Sequence, residues 1–112
     1  MRKTAVFQRF PKRYVDKLVR VNLLKGDESW IYVHIEVQGN KQTVFAERMF
    51  VYNYRLYDRY RTPIASLAVL ADEHPNWRPQ QFTCSVLGCE TSIQFPIAKL
   101  IDYQDQLDAF ST

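Results

Sequence analysis

The chain has 112 residues, enough for one small domain, and its 46% hydrophobic content with few glycines and prolines excludes a disordered protein. The N-terminus is basic but lacks the apolar run of a signal peptide, and no stretch approaches the length of a membrane-spanning helix. We therefore expect a cytoplasmic protein with no membrane partner. Two cysteines, Cys84 and Cys89, are too few for a disulfide framework and are expected to be ordinary thiols.

The net charge of +3 conceals a difference between the two parts of the chain. Residues 1–62 contain 13 Lys and Arg against 6 Asp and Glu, whereas residues 63–112 contain 2 against 6. Clustered basic charge favours an anionic partner, most commonly nucleic acid. A solvated basic surface would give the same composition.

An N-terminal arm without clear periodicity, residues 1–11, precedes a predicted antiparallel hairpin. Residues 12–24 alternate as its first strand, and the turn signal lies at residues 25–27. The second strand contains residues 30–38, WIYVHIEVQ, which alternate strictly. Its apolar face is expected to explain its central position, with Ile31, Val33, Ile35 and Val37 on that face. Its other face includes His34, Glu36 and Gln38.

The hairpin register brings two carboxylates together. Pairing about the turn would make Asp16 and Glu36 cross-strand neighbours, with Cβ atoms about 5 Å apart. Like charges in that position destabilise a hairpin unless a cation lies between them. The residues thus predict a divalent metal site, although a shift of register would send both carboxylates to water instead.

Residues 41–61 predict a helix, with Thr43 as N-cap and Glu47 in the first turn. The stripe expected to face the core comprises Ala46, Met49, Phe50, Asn53, Leu56, Tyr57 and Tyr60. A second face carries Arg48, Tyr52, Arg55 and Arg59. Three arginines with an aromatic residue among them can hold phosphates and stack on bases, or they can form an ordinary solvated helix face.

The remaining segments predict a mixed sheet. Residues 63–71 form a nearly continuous apolar run, typical of a buried strand, and a helical crossover makes residues 64–70 parallel to a hairpin strand. In the loop that follows, Trp77 is expected to pack on the body and His74 to be exposed. Two short strands are predicted at residues 81–87 and 90–95. A last helix is predicted at residues 97–110.

Four stretches carry a resemblance to a known family: VDKLVRV, WIYVHIEVQG, FAERMFVYNYRLYDRY and SLAVLADEHPNW. With an acid followed by E-x-Q on the next strand, the chain resembles the PD-(D/E)xK nucleases in the variant where glutamine replaces lysine. Within them it resembles the Rpn family of recombination-promoting nucleases, also described as putative YhgA-like transposases. The resemblance covers roughly residues 12–103, and it implies that residues 1–112 form a single nuclease core, expected to be truncated at both ends relative to the family.

The resemblance implies an α/β restriction-endonuclease-like fold, a mixed β-sheet with flanking helices, and Mg²⁺-dependent (or Mn²⁺-dependent) cleavage of DNA linked to mobile elements. The implied metal ligands are Asp16, Glu36 and the backbone carbonyl of Val37. Gln38 would occupy the lysine position and orient water. His34, Arg48 and Tyr52 are candidate auxiliary residues, and Arg48, Arg55 and Arg59 are candidate DNA contacts.

Several interpretations remain open at the level of sequence. The chain is either an active nuclease or a catalytically inactive DNA-binding or interaction remnant of the same fold. A third option is a structural subunit that needs a partner, and the chain can also form a homo-oligomer. An active nuclease predicts that Glu36→Ala abolishes Mg²⁺-dependent nicking, whereas Asp72→Ala leaves it intact.

Overall fold

The computed structural model describes residues 3–8, 17–25 and 27–106, and the side chains of residues 17–22 and 30–106. Within these ranges the elements, in chain order, are β1 (Lys3–Gln8), β2 (Lys17–Lys25), β3 (Asp27–Gln38), α1 (Phe45–Tyr60), β4 (Ile64–Leu70), β5 (Gln81–Val86), β6 (Cys89–Gln94), β7 (Ile97–Lys99) and a 3-10 helix (Leu100–Tyr103). None of the helices in the described part of the chain has the length and apolar character needed to cross a membrane.

The main sheet has the strand order β1-β2-β3-β4-β7. The pairs β1–β2 and β2–β3 are antiparallel, whereas β3–β4 and β4–β7 are parallel. Helix α1 makes the crossover between β3 and β4, as a parallel connection requires. The predicted mixed sheet and the parallel pairing of β4 with β3 are therefore confirmed. The arm expected at residues 1–11 is wrong over residues 3–8, because β1 pairs along its length with β2, and the rest of that stretch lies outside the described residues.

The β2–β3 hairpin has the register that the sequence predicts. Lys25 pairs with Asp27 across the turn, and Leu18 lies opposite His34. The last described pair is Lys17 with Ile35. Asp16 lies outside the described residues, so its predicted position opposite Glu36 stays a prediction.

The polar face of β3 is the buried one, which is the reverse of the expectation that its apolar face lies in the core. The polar row lies against the helix side of the sheet, with His34 0%, Glu36 5% and Gln38 7% exposed. Val37, on the apolar face, is 49% exposed. The reason is tertiary: α1 returns over the face that carries the polar row, and only tertiary contacts decide which face a helix covers.

Helix α1 buries Phe45, Met49 and Leu56. Phe45 and Met49 pack with Ala68 and Leu70 of β4 in one cluster, and Leu56 packs with Leu18 of β2 in another. These contacts hold the helix across the sheet and position the side chains described below.

The predicted ends and stripe of α1 need two corrections. The N-cap position is Val44 rather than Thr43, and it makes no side-chain capping hydrogen bond. Tyr57, predicted to face the core, is 47% exposed, because it is turned by about 100° around the helix axis from the buried Leu56. Asn53 does face the sheet, where it makes hydrogen bonds instead of apolar contacts.

The C-terminal part of the described chain forms a small second sheet and the edge of the main one. Strands β5 and β6 pair as an antiparallel hairpin, as predicted, and turn at Leu87 and Gly88 with φ of 51° and 79°. The helix predicted from residue 97 is wrong at its start. Residues Ile97–Lys99 are instead β7, because the edge of β4 is available for pairing beside them.

Candidate functional site

A chain of hydrogen bonds runs from helix α1 through β4 to β3. Asn53 Nδ2 donates to Ser66 Oγ at 3.0 Å, and Ser66 Oγ lies 2.8 Å from His34 Nδ1. His34 Nε2 lies 3.1 Å from Glu36 Oε2. The three strand residues are all at most 5% exposed, so the hydrogen bonds between them are shielded from water, whereas Asn53 on the helix is half-buried.

The direction of these hydrogen bonds follows from their donors and acceptors. An ionised Glu36 carboxylate only accepts, so His34 Nε2 carries a proton and donates to it. In a neutral imidazole Nδ1 then accepts from the Ser66 hydroxyl, whose oxygen accepts from Asn53. Each donor thus polarises the next toward Glu36. His34 therefore orients Glu36 and does not present a free base to a water molecule.

Arg48, in the first turns of α1, completes the cluster from the solvent side. Its Nη2 donates to Gln38 Oε1 at 2.9 Å and lies 3.8 Å from Glu36 Oε1, and its Nη1 donates to Gln42 Oε1 at 2.8 Å. The Arg48 side chain is 33% exposed, whereas that of Glu36 is 7% exposed. Arg48 is therefore the group through which this cluster meets solvent.

The Gln38 side-chain amide already makes two hydrogen bonds within the protein, which limits the predicted role of orienting water. Its Nε2 donates to the carbonyl of Asn40 at 2.7 Å, while its Oε1 accepts from Arg48. One N–H and one lone pair of the amide remain beyond these two bonds. Gln38 therefore positions Arg48, and only its remaining N–H and lone pair can orient a water molecule.

The other predicted residues are divided between the cluster and the surface. Tyr52 packs edge-on against the His34 ring at a centroid distance of 5.9 Å, and its auxiliary role stays a prediction. Arg55 and Arg59 are exposed on α1, further along the helix than Arg48. The side chain of Val37 is exposed, so this residue can serve the site only through its backbone.

The metal ligand set is incomplete in the described part of the chain. Glu36 is the carboxylate of the cluster, and Asp16 lies outside the described residues. Among the described residues no group of three or more His, Cys, Asp and Glu side chains comes together in a way that could hold a metal ion. The Glu36 carboxylate is nevertheless the kind of oxygen ligand that Mg²⁺ prefers.

A second buried polar pair joins β7 to the loop that follows β4. Lys99 Nζ donates to Asp72 Oδ1 at 2.6 Å and to the carbonyl of Trp77 at 3.0 Å. The Lys99 and Asp72 side chains are 0% and 2% exposed. Asp72 also accepts from the backbone N–H of His74. This pair holds the 71–77 loop, so Asp72 cannot serve as the neutral control that the sequence suggests.

Burial acts to raise the pKa of Asp72, but the hydrogen bond from Lys99, with help from the His74 N–H, outweighs it and lowers the pKa below its ordinary value of 3.8. The carboxylate is therefore held in its charged form inside the protein.

Two of these residues are missed by sequence reasoning, although each gives a signal. Ser66 is a polar residue inside the apolar run IASLAVL, and Lys99 is a lone charge inside IAKLI. A polar side chain within an otherwise buried strand needs a partner, and that need is the signal. The sequence does not say which partner each one finds.

Comparison of the chain with known protein families, with curated proteins and with solved structures finds no match.

Proposed function

We propose that the protein is a metal-dependent DNA endonuclease whose reactive centre is built around Glu36. The observation that carries the proposal is the buried hydrogen-bond chain that ends on the Glu36 carboxylate. Such a chain fixes one carboxylate near the end of a strand, with a partly exposed arginine beside it. Preorganised charge of this kind is what phosphoryl transfer requires.

The restriction-endonuclease-like assignment is part of the same proposal. What supports it is the order of elements: an antiparallel hairpin, a helical crossover and a parallel strand, with Glu36 and Gln38 on the face that the helix covers. The resemblance of the sequence to the Rpn family points the same way.

Glu36 and the backbone carbonyl of Val37 would hold the metal in this proposal, together with Asp16. Mg²⁺ or Mn²⁺ would supply polarisation of the phosphate and a lowered pKa for the attacking water. The residues of the chain do the rest. His34 holds the Glu36 carboxylate in place, Gln38 holds Arg48, and Arg48 offers its guanidinium to a phosphate oxygen.

A plasmid-nicking assay tests this proposal. We expect the wild-type protein to nick supercoiled DNA with Mg²⁺ or Mn²⁺ and to be inactive in EDTA. Glu36→Gln keeps the shape of the side chain but removes its charge, so nicking should fall to background. Binding of Mn²⁺, followed by the paramagnetic resonance of the free ion, should weaken in the same variant.

Glu90→Gln is the matched control. Glu90 is an exposed acid on β6, in the separate two-stranded sheet, and its replacement should leave both nicking and Mn²⁺ binding unchanged. Full nicking activity in folded Glu36→Gln would overturn the assignment of Glu36.

One observation favours a second function, DNA binding without cleavage. The Arg48 guanidinium lies 3.8 Å from Glu36 Oε1 and already places a cation beside the carboxylate. A metal ion at Glu36 would be repelled by that charge. In this alternative the basic face of α1 binds the DNA backbone, and the polar cluster serves only the fold.

Salt dependence of binding separates the two functions. The double variant Arg55→Gln/Arg59→Gln should reduce the slope of log K against log salt by about 2, since each phosphate contact contributes about 1. Binding with that slope, combined with no nicking in any divalent metal, would select the second function.

A further inference from the structure

We propose that Trp30, Arg20 and Asn22 form a platform for an unpaired base of single-stranded DNA. This inference rests on the proposed DNA substrate and specifies that the DNA is single-stranded where it crosses the turn end of the β2–β3 hairpin. The three residues are brought together by the β2–β3 register, which places Asn22 opposite Trp30 and Arg20 opposite Tyr32.

The first observation is an aromatic ring combined with a guanidinium. Arg20 Cζ lies 4.2 Å from the centre of the Trp30 ring. Trp30 is 36% exposed, so part of its surface faces solvent even with Arg20 stacked on it. A tryptophan with an adjacent cation is suited to stacking a base and attracting its phosphate.

The second observation is a pair of polar atoms that lack partners. Arg20 Nε and Asn22 Oδ1 are both buried, and neither makes a hydrogen bond in the described part of the chain. Asn22 as a whole is 8% exposed. Buried polar atoms normally find partners, so an unused donor and an unused acceptor on the same face of β2 need an explanation. The edge of a base offers both complementary groups, and the side chains that enclose the two atoms would have to move to admit it.

Charge complementarity favours single-stranded DNA over an apolar partner. All three residues lie in the half of the chain that holds 13 of the 15 Lys and Arg. The C-terminal end of α1 adjoins this region, because Tyr60 packs on Tyr32 at a centroid distance of 4.7 Å. Arg59 is exposed one residue before it. In duplex DNA the base faces are stacked and inaccessible, whereas a single strand offers them together with its phosphates.

Binding of a fluorescein-labelled 12-nucleotide single strand, measured by anisotropy in EDTA, tests the platform. We expect Trp30→Leu to weaken this binding by about tenfold, since one stacked base contributes on that scale. Trp30→Phe should retain most of the affinity because it retains a ring. Binding of the corresponding 12-base-pair duplex should not change in either variant.

Tyr103→Leu is the matched control, because Tyr103 is a comparably exposed aromatic residue, at 46%, in the acidic half of the chain. It should leave the binding of the single strand unchanged. Equal losses for single strand and duplex in Trp30→Leu, or no loss for either, would overturn the platform.

A second measurement keeps the Trp30 ring in place. In the Trp77→Phe variant Trp30 is the sole tryptophan, and the single strand should quench its fluorescence while the duplex should not. Absence of quenching at saturating single strand would also overturn the proposal.

The result is separable from the proposed catalysis. If binding depends on Trp30 but no nicking occurs, the platform is supported and the nuclease assignment is overturned. If nicking depends on Glu36 but binding does not depend on Trp30, the nuclease assignment is supported and the platform is overturned.

Discussion

Two buried polar clusters lie on the same sheet, and they differ in how they end. The Asp72–Lys99 pair is closed: both side chains are at most 2% exposed, and the Lys99 ammonium is also bonded to the Trp77 carbonyl. The cluster around Glu36 is open at one end, where Arg48 is one-third exposed. The closed pair can only stabilise the fold, whereas the open cluster can meet a ligand.

This difference in solvent access separates buried charges that serve only the fold from those that can contact a ligand. A fully enclosed ion pair is separated from solvent, so a substrate cannot reach it while the fold is intact. A hydrogen-bond chain that ends on a carboxylate beside a solvent-accessible arginine lies within reach of a substrate. The comparison predicts that changes at the closed pair affect stability, while changes at the open cluster affect activity more than stability.

The largest effect is expected from breaking the closed pair. Lys99→Met leaves the Asp72 carboxylate buried without its cation, so the free energy of unfolding should fall by about 3–5 kcal/mol. Urea denaturation followed by circular dichroism measures it. The double variant Asp72→Leu/Lys99→Met, which buries no charge, should recover most of the loss. A loss below about 1 kcal/mol in the single variant would show that the pair is not closed.

The next effect is the loss of stability in acid. The folded pKa of Asp72 is lowered from 3.8, so the folded protein binds its proton less readily than the unfolded chain. The contribution of Asp72 is complete above pH 3.8 and is lost as the pH falls toward the folded pKa. Urea midpoints measured from pH 6 to pH 2 should therefore fall in wild type. The fall should be smaller in Asp72→Leu/Lys99→Met, and identical profiles would contradict the prediction.

A smaller change in stability is expected within the open cluster. Ser66→Ala removes the partner of His34 Nδ1, a buried atom, at a cost of about 1–3 kcal/mol. Nicking should fall by a larger factor than stability explains, because His34 no longer holds Glu36 in one orientation. Ser66→Thr keeps the hydroxyl and should restore both properties. Equal activity in Ser66→Ala and wild type, under conditions where both are folded, would separate this chain of hydrogen bonds from function.

The smallest effect is expected at a surface pair. Arg78 makes two hydrogen bonds to Asp102, at 2.9 and 2.7 Å, and both side chains are more than one-third exposed. Although these hydrogen bonds raise the pKa of Arg78 and lower that of Asp102, solvent screens the pair. Arg78→Gln should change the urea midpoint by no more than the error of the measurement. A loss comparable to that of Lys99→Met would remove the distinction between enclosed and exposed pairs.

Much of the fold follows from local patterns. Strict alternation predicts β3, the turn at residues 25–27 predicts the hairpin register, and the apolar run predicts β4 with its parallel pairing. The failures lie where pairing is non-local. Strand β1 has no clear period, and Ile97–Lys99 fits a helix start as well as a strand. Only the free edges of β2 and β4 decide in favour of pairing.

The candidate site divides in the same way. Sequence reasoning identifies Glu36, Gln38 and Arg48 because their spacing places them on defined faces of a strand and a helix. It does not identify Ser66 as the partner of His34, or Lys99 as the partner of Asp72, since these pairs are 32 and 27 residues apart in the chain. Such partners become visible only when the parallel strands lie side by side.

The sequence by itself determined the elements that carry the chemistry: a strand with a polar row, a helix with a basic face and a basic N-terminal half. Periodicity and charge are local properties, so the sequence reveals them without knowledge of the fold. Only the tertiary structure decided that α1 covers the polar row of β3 and leaves Val37 exposed on the other face. The packing of Phe45, Met49 and Leu56 against the sheet decides which face is enclosed, and with it which buried charges stay open to a ligand.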